Sequence, residues 1–149
     1  MTEQEVRRVA VVDDAKELCK IIRFMLSEEP QNLTYEVITY QSVKEIKSLI
    51  EGDPEQIPVA DLWFIDLGLG PYDGRQVIRK VRAASPSSTT IIAFTASSKA
   101  VELCQGTGAD AYLGKPVEIE QVLDLVSSPR EVILSGALDC VRLLPVISA

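Results

Sequence analysis

Three carboxylates, one hydroxyl and one amine stand in this sequence at the ends of short apolar segments. In chain order they are Asp13, Asp14, Asp66, Thr95 and Lys115. Three close carboxylates without a cation would raise each other's pKa, and Mg²⁺ relieves this because it prefers oxygen ligands and keeps several waters. A bound metal leaves room for a phosphoryl oxygen, and the hydroxyl and the amine could hold the other two. Together these groups would make a phosphoryl-transfer site with Asp66 as the nucleophile.

The apolar segments before these groups have the length and composition of buried β-strands. They cover residues 8–12, 62–65, 90–94 and 111–113, and a further β-rich segment covers residues 35–40. Helical spacing of apolar residues follows each of them, and this alternation predicts a parallel sheet with helices on both faces. Ligands of such sheets bind beyond the carboxyl ends of the strands, where the strand order reverses. We therefore expect the chemical groups to meet at one edge of the sheet.

Local signals define one helix start and the extent of the domain. Ser42, with Glu45 three residues later, has the pattern of a capping box at the start of the second helix, and Gly52 ends that helix. We assign residues 1–127 to one domain and residues 128–149 to a C-terminal tail. The apolar residues of the tail predict an additional helix, docked on the domain or on a partner. The tail is too short to be an output domain.

Composition and charge exclude several classes of function. The net charge of −7 argues against a direct nucleic-acid partner, because phosphate backbones need a basic patch. The absence of histidine excludes a Ser-His triad, a histidine-ligated zinc and a self-contained phosphohistidine relay. No apolar run approaches the roughly 18 residues of a membrane-spanning helix, and the acidic N-terminus is unlike a secretory signal. We therefore expect a cytoplasmic protein without a membrane partner.

Five short motifs resemble those of the response-regulator receiver family, in the CheY-like superfamily. They read VVDD at 11–14, FIDL at 64–67, DG at 73–74, TA at 95–96 and GADAYLGKP at 108–116. No single motif is specific, but their order and their places at strand ends identify the resemblance, which extends from about residue 6 to 126. It implies a flavodoxin-like, doubly wound sheet of five parallel strands in the order 2-1-3-4-5.

The resemblance implies a phosphoacceptor with a bound metal. Asp66 would take a phosphoryl group from the phosphohistidine of a partner histidine kinase or phosphotransfer protein. Asp14, Asp66 and the carbonyl of Gly68 would bind Mg²⁺ directly, and Asp13 would bind it through water. The domain would catalyse its own phosphorylation and dephosphorylation, but it would act mainly as a signalling switch that changes conformation to control an output partner.

The remaining implied roles concern the switch. Thr95 would be the switch hydroxyl, Tyr112 the aromatic side chain that turns inward, and Lys115 the phosphate contact. The peptide bond after Lys115 would be cis and would aim the lysine into the site. The sequence departs from the family at Gly70, where a proline is usual, since the proline comes one residue later. The loop over the site is therefore expected to bend differently.

Two alternatives come from other classes of protein. A haloacid-dehalogenase-type phosphatase also uses an aspartate nucleophile with a hydroxyl, a lysine and a late acid pair. That family has a second aspartate two residues after the nucleophile, whereas Gly68 follows Asp66 at that distance and the acid pair comes first in this chain. A degenerate receiver that acts only as a binding module is disfavoured, because every chemical residue is present.

Self-association is expected to depend on apolar surface. Receivers of transcription factors that dimerise through the fourth helix, fifth strand and fifth helix use acid-base pairs there. Residues 117–128 contain three acidic residues and no Lys or Arg, so that ion-paired dimer is not expected. The tail helix, with Leu134, Leu138 and Val141, would provide the contact instead.

Overall fold

A computed structural model describes residues 5–27 and 33–144 as a β-sheet with helices on both faces. The strands are β1 Glu5–Val12, β2 Leu33–Tyr40, β3 Leu62–Asp66, β4 Gly68–Leu69, β5 Tyr72–Asp73, β6 Thr90–Thr95, β7 Ala111–Gly114 and β8 Arg142–Leu143. The helices are α1 Lys16–Ser27, α2 Val43–Glu51, α3 Gly74–Ala84, α4 Ala100–Cys104, α5 Ile119–Ser127 and α6 Arg130–Leu134, with a 3-10 helix at Pro54–Gln56. Within the two described ranges, no helix is long and apolar enough to cross a membrane.

Five strands of the main sheet are parallel and follow the order β2-β1-β3-β6-β7. This is the predicted order 2-1-3-4-5, so the flavodoxin-like topology is confirmed. The sequence did not predict the sixth strand, β8, which pairs antiparallel with β7 at the edge of the sheet. Nor did it predict the separate two-stranded hairpin that β4 and β5 form directly after β3.

The sheet is buried on both faces because its strands alternate between two apolar cores. In β1, Val9 and Val11 pack with α1 and α5, whereas Ala10 and Val12 pack with α2 and α3. All five residues of β3 are buried, which explains why this strand is apolar throughout until Asp66. Close packing on both faces fixes the position of β3 and hence that of the carboxylate at its end.

The predicted capping box is present at the start of α2. Ser42 Oγ accepts a hydrogen bond from the Glu45 N–H at 3.1 Å, and Glu45 Oε1 accepts one from the Ser42 N–H at 3.1 Å. Gly52 caps the other end of the helix. The loop that follows buries Ile57 in the core and enters β3 at the end opposite Asp66.

The C-terminal tail contains the predicted additional helix, but this helix, α6, is short. The described part of the tail then returns to the sheet as the strand β8, which the sequence did not predict. Gly136 turns the chain back with a φ of 80°, in the left-handed region that favours glycine. The tail buries Ile133, Val141 and Leu144 against the domain. Its last part, residues 145–149, lies outside the described residues.

Candidate functional site

The carboxyl ends of β1 and β3 bring three carboxylates together. Asp13 and Asp14 directly follow β1, and Asp66 is the last residue of β3. One oxygen atom of each lies within 4.8 Å of the others. Asp13 is fully buried and Asp66 is 3% exposed, whereas Asp14 is exposed to solvent. Carboxylate oxygens at this spacing suit a hard cation that enters from solvent.

Asp13 is the fully buried member of this cluster. Its Oδ1 accepts a hydrogen bond from the Ala15 N–H at 2.8 Å, but its buried Oδ2 has no hydrogen-bond partner among the described residues. Burial raises the pKa of the Asp13 carboxyl, and the negative charge of Asp66 adds to this, although the Ala15 N–H opposes it. A buried carboxylate oxygen without a partner is costly, so a cation or an ordered water is the natural partner here.

Asp66 is held from two sides. Its Oδ2 accepts a hydrogen bond from Lys115 Nζ at 2.6 Å, and its Oδ1 accepts one from the Gly68 N–H at 3.0 Å. Burial lowers the pKa of Lys115, but the hydrogen bond and the charge of Asp66 outweigh this and raise it. Lys115 therefore stays protonated and provides a fixed positive charge beside the carboxylate.

Thr95 and Lys115 reach the same edge of the sheet from β6 and β7. Thr95 lies one residue beyond the cross-strand partner of Asp66. The Lys115 N–H donates to the Thr95 carbonyl at 2.9 Å, and the bond from Lys115 to Pro116 is cis, as the resemblance implies. The Thr95 hydroxyl oxygen accepts a hydrogen bond from the Ser97 N–H at 3.0 Å. The hydroxyl proton remains for a further acceptor.

Tyr112 and Gly68 occupy different positions relative to the carboxylates. Gly68 is exposed and contacts Asp66 directly through its N–H. Tyr112 lies within β7, between β6 and β8, and its half-buried side chain packs against the core that contains α2 and α3. It is linked to Lys115 by the backbone of β7, so it does not belong to the charged cluster itself.

The hairpin of β4 and β5 covers one side of the site. Its turn lies at Gly70 and Pro71, and Gly70 has a φ of 65°. A Cβ at Gly70 would be 3.9 Å from Asp14 Oδ2, so the turn lies against that carboxylate. The sequence did contain a signal for this hairpin, because a Gly-Pro pair separates two short segments.

The Asp73-Gly74 motif supports the backbone beneath Asp66. The Asp73 carboxylate caps α3 by accepting the Arg75 N–H at 2.9 Å, and it pairs with the Arg75 guanidinium at 2.6 Å. The side-chain hydrogen bond from Arg75 holds the pKa of Asp73 below its ordinary value. Gly74 is buried, and a Cβ at this position would overlap the backbone oxygen of Asp66. Glycine is therefore required for this close approach.

Comparison with known proteins agrees with this geometry. Residues 9–127 match the family model described as the response regulator receiver domain. The alginate biosynthesis transcriptional regulatory protein AlgB of Pseudomonas aeruginosa is 32% identical over 123 residues, 81% of this chain and 25% of that protein. The response regulator ArlR of Staphylococcus epidermidis is 30% identical over 117 residues, 77% of this chain and 48% of that protein. The chain thus spans less than half the length of these curated relatives.

A solved structure has the same fold. It is a response regulator protein from Burkholderia pseudomallei with a phosphorylated aspartic acid, a calcium ion and citrate. The similarity has a TM-score of 0.62 at 23% identity and covers 95% of this chain and 77% of that chain. This likeness concerns the fold, whereas the family match over most of the sequence identifies the chain as a member of the response regulator receiver domain family of two-component systems.

Proposed function

We propose that this domain accepts a phosphoryl group on Asp66 and that the modified state is its signal. The observation that carries the proposal is the setting of Asp66, a nearly buried carboxylate paired with Lys115 at 2.6 Å and clustered with two further acids. A structural ion pair needs only one carboxylate. Two additional acids at the same point repel each other and Asp66. A bound cation would relieve this repulsion and would also stabilise the negative charge of a phosphoryl group on Asp66.

The residues present fit a Mg²⁺ ion. Asp13 Oδ2 is buried and has no hydrogen-bond partner in the described part of the chain, so a hydrated cation next to it would supply the partner that this oxygen needs. Asp14, Asp66 and the Gly68 carbonyl would bind the ion directly, and Asp13 would bind it through water. When bound, the ion neutralises charge that develops on the transferred phosphoryl group.

Each remaining residue of the site has a defined part in transfer. One Asp66 oxygen attacks phosphorus, the phosphorus–nitrogen bond of the donor phosphohistidine breaks, and the departing imidazole recovers its electron pair. Lys115 exchanges its bond with Asp66 Oδ2 for a bond with a phosphoryl oxygen. Thr95 donates its hydroxyl proton to another phosphoryl oxygen, and Tyr112 turns inward as Thr95 moves.

The partners follow from the composition of the chain. Because these 149 residues contain no histidine, the donor phosphohistidine lies outside them, and we propose a histidine kinase or a phosphotransfer protein as the donor. The phosphorylated domain then controls an output partner. Self-association through the tail would rest on less surface than its sequence indicated, because Val141 is 5% exposed and packs against the domain.

Mass measurement of the intact protein tests the acceptor. Incubation with acetyl phosphate and Mg²⁺ should add the mass of one phosphoryl group to the wild-type chain. Asp66→Asn, which is nearly isosteric but cannot form an acyl phosphate, should gain nothing. Asp124→Asn is the matched control, since Asp124 is an exposed acid on α5, and it should gain mass like the wild type. Equal phosphorylation of Asp66→Asn and wild type would refute the assignment.

A further inference from the structure

The C-terminal segment 129–144, here called the strap, is attached to the strand that carries the proposed switch residue. β8 within the strap pairs with β7, placing Arg142 opposite Tyr112 and Leu143 opposite Ala111. The Leu144 N–H extends this pairing by donating to the Asp110 carbonyl at 3.0 Å. β7 is therefore bounded by β6 on one side and by the strap on the other.

One ion pair anchors the start of the strap. Arg130 Nη1 donates to the Thr89 carbonyl at 2.8 Å and to Asp110 Oδ2 at 3.2 Å, and Arg130 Nη2 reaches Asp110 Oδ1 at 3.3 Å. Asp110 belongs to the motif that precedes Lys115, yet it lies at the opposite end of β7 from the carboxylate cluster. Asp110 therefore takes no part in the carboxylate cluster, but it binds Arg130 and so holds the strap against the domain.

Apolar side chains anchor the strap on both faces of the sheet. Ile133 and Val141 are buried in the core that contains α1 and α5. Leu144 is buried in the other core, which also contacts the Tyr112 side chain. The strap thus wraps around the edge of β7, and its residue Leu144 is buried in the same core that the side chain of Tyr112 packs against.

The strap is nevertheless weakly held compared with the inner strands. Only two residues pair in its strand, and Arg142 and Leu143 are both exposed. Between the strap and the end of α4 lies a pocket of about 480 Å³, whose lining includes Cys104, Leu134 and Leu143. Side chains that border such a space lack contact atoms on one side, which lowers the cost of local opening.

We infer that the strap is an autoinhibitory contact that phosphorylation at Asp66 releases, an inference that rests on the proposed function. The strap is complementary to β7 in the arrangement in which Lys115 binds Asp66. When Lys115, Thr95 and Tyr112 move to the phosphoryl group, β7 shifts between its two neighbours. β6 keeps its parallel pairing of four residues with β7, so the two-residue pairing of the strap yields first. Its release uncovers the edge of β7 and the apolar anchors for an output partner.

Hydrogen–deuterium exchange of the wild-type chain tests the release. The protein is phosphorylated with acetyl phosphate and Mg²⁺, the added mass is verified, and exchange of residues 129–144 is compared with that of β1 and β3. Relative to the unphosphorylated protein, we expect faster exchange in the strap and an unchanged rate of exchange in β1 and β3. A phosphorylated protein whose strap exchanges at an unchanged or slower rate would overturn the inference alone. Absence of the added mass would instead overturn the proposed function, and the release with it.

Linkage provides the reciprocal measurement. If phosphorylation releases the strap, loosening the strap must favour the phosphorylated arrangement by the same factor. Arg130→Gln should bind beryllofluoride with Mg²⁺ at least about 5-fold more tightly than wild type, the lower end of ordinary coupling. Glu131→Gln, an exposed neighbour on α6, is the matched control and should leave the affinity unchanged. Faster exchange of the strap in Arg130→Gln with unchanged affinity would contradict the coupling.

Discussion

The two ends of β7 face charge clusters of opposite composition. At the carboxyl end of the sheet, Asp13, Asp14 and Asp66 face one cation, Lys115. At the other end, the guanidinium groups of two arginines from α3 and α6 flank a single carboxylate, that of Asp110. Both clusters are partly withdrawn from water, so the balance of charge and hydrogen bonds decides what each can do.

The two clusters differ in how fully their oxygens are bonded. Asp110 Oδ2 accepts hydrogen bonds from Arg82 Nη2 at 2.7 Å and from the Ile91 N–H at 2.8 Å, in addition to those from Arg130. Asp13 Oδ2, by contrast, is buried with no partner among the described residues. A cluster with all of its bonds made holds elements together. A cluster that has excess negative charge and a buried oxygen without a hydrogen-bond partner can still bind a ligand.

The largest change in stability is expected when Asp110, whose carboxylate oxygens all accept hydrogen bonds, is replaced. Asp110→Ala leaves two partly buried guanidinium groups without a counter-ion and the Ile91 N–H without its acceptor. We expect the free energy of unfolding to fall by about 3 kcal/mol. Urea denaturation measures this, and Asp124→Ala, at an exposed position, should stay within about 0.5 kcal/mol of wild type. If Asp110→Ala lowered the free energy of unfolding no more than Asp124→Ala does, the cluster would have no role in stabilising the fold.

A smaller effect is expected when Mg²⁺ is added to the protein and binds the carboxylate cluster. At a Mg²⁺ concentration about ten times its Kd, binding to the folded state alone should stabilise the protein by about 1.4 kcal/mol. Asp14→Ala should lose this stabilisation, whereas Asp110→Ala should keep it because Asp110 lies at the far end of β7. Thermal melts with and without Mg²⁺ provide the measurement. Equal shifts in wild type and Asp14→Ala would exclude Asp14 as a ligand.

The smallest effect concerns the carboxylate cluster without metal. Asp14→Asn removes one of three neighbouring negative charges, so in a chelator it should raise the free energy of unfolding by about 0.5 kcal/mol. The gain is small because Asp14 is exposed, and it should shrink further at high salt. A lower melting temperature for Asp14→Asn under these conditions would indicate that the cluster is not electrostatically strained.

Features fixed by short spacing or by sheet topology were predictable from the sequence. The capping box depends on two residues three positions apart, Ser42 and Glu45, and the structure contains it. The meeting of Asp66 and Lys115 depends on their places at the carboxyl ends of parallel strands. Once the strand order follows from the motifs, their proximity follows as well, although no local pattern gives the 2.6 Å contact.

Features decided by contacts across the fold were not predictable. The strand β8 has only two residues, too few to show alternation, and the apolar spacing before it is equally typical of a helix. What directs it to the sheet is the unpaired edge of β7 and the turn at Gly136, neither of which the local pattern describes. The same holds for Arg82 and Arg130, whose shared partner Asp110 lies 28 and 20 residues away.

The strap also bears on the solubility of the protein. An unpaired strand edge is a template for pairing with other chains, and proteins protect such edges with very short outer strands and charged side chains. β8 has both protections, because it has only two residues and one of them is the exposed Arg142. With the strap in place, we therefore expect this side of the sheet to resist aggregation in concentrated solution. If phosphorylation releases the strap, the newly exposed strand has only four residues, which limits the chain-to-chain pairing that the active form could seed.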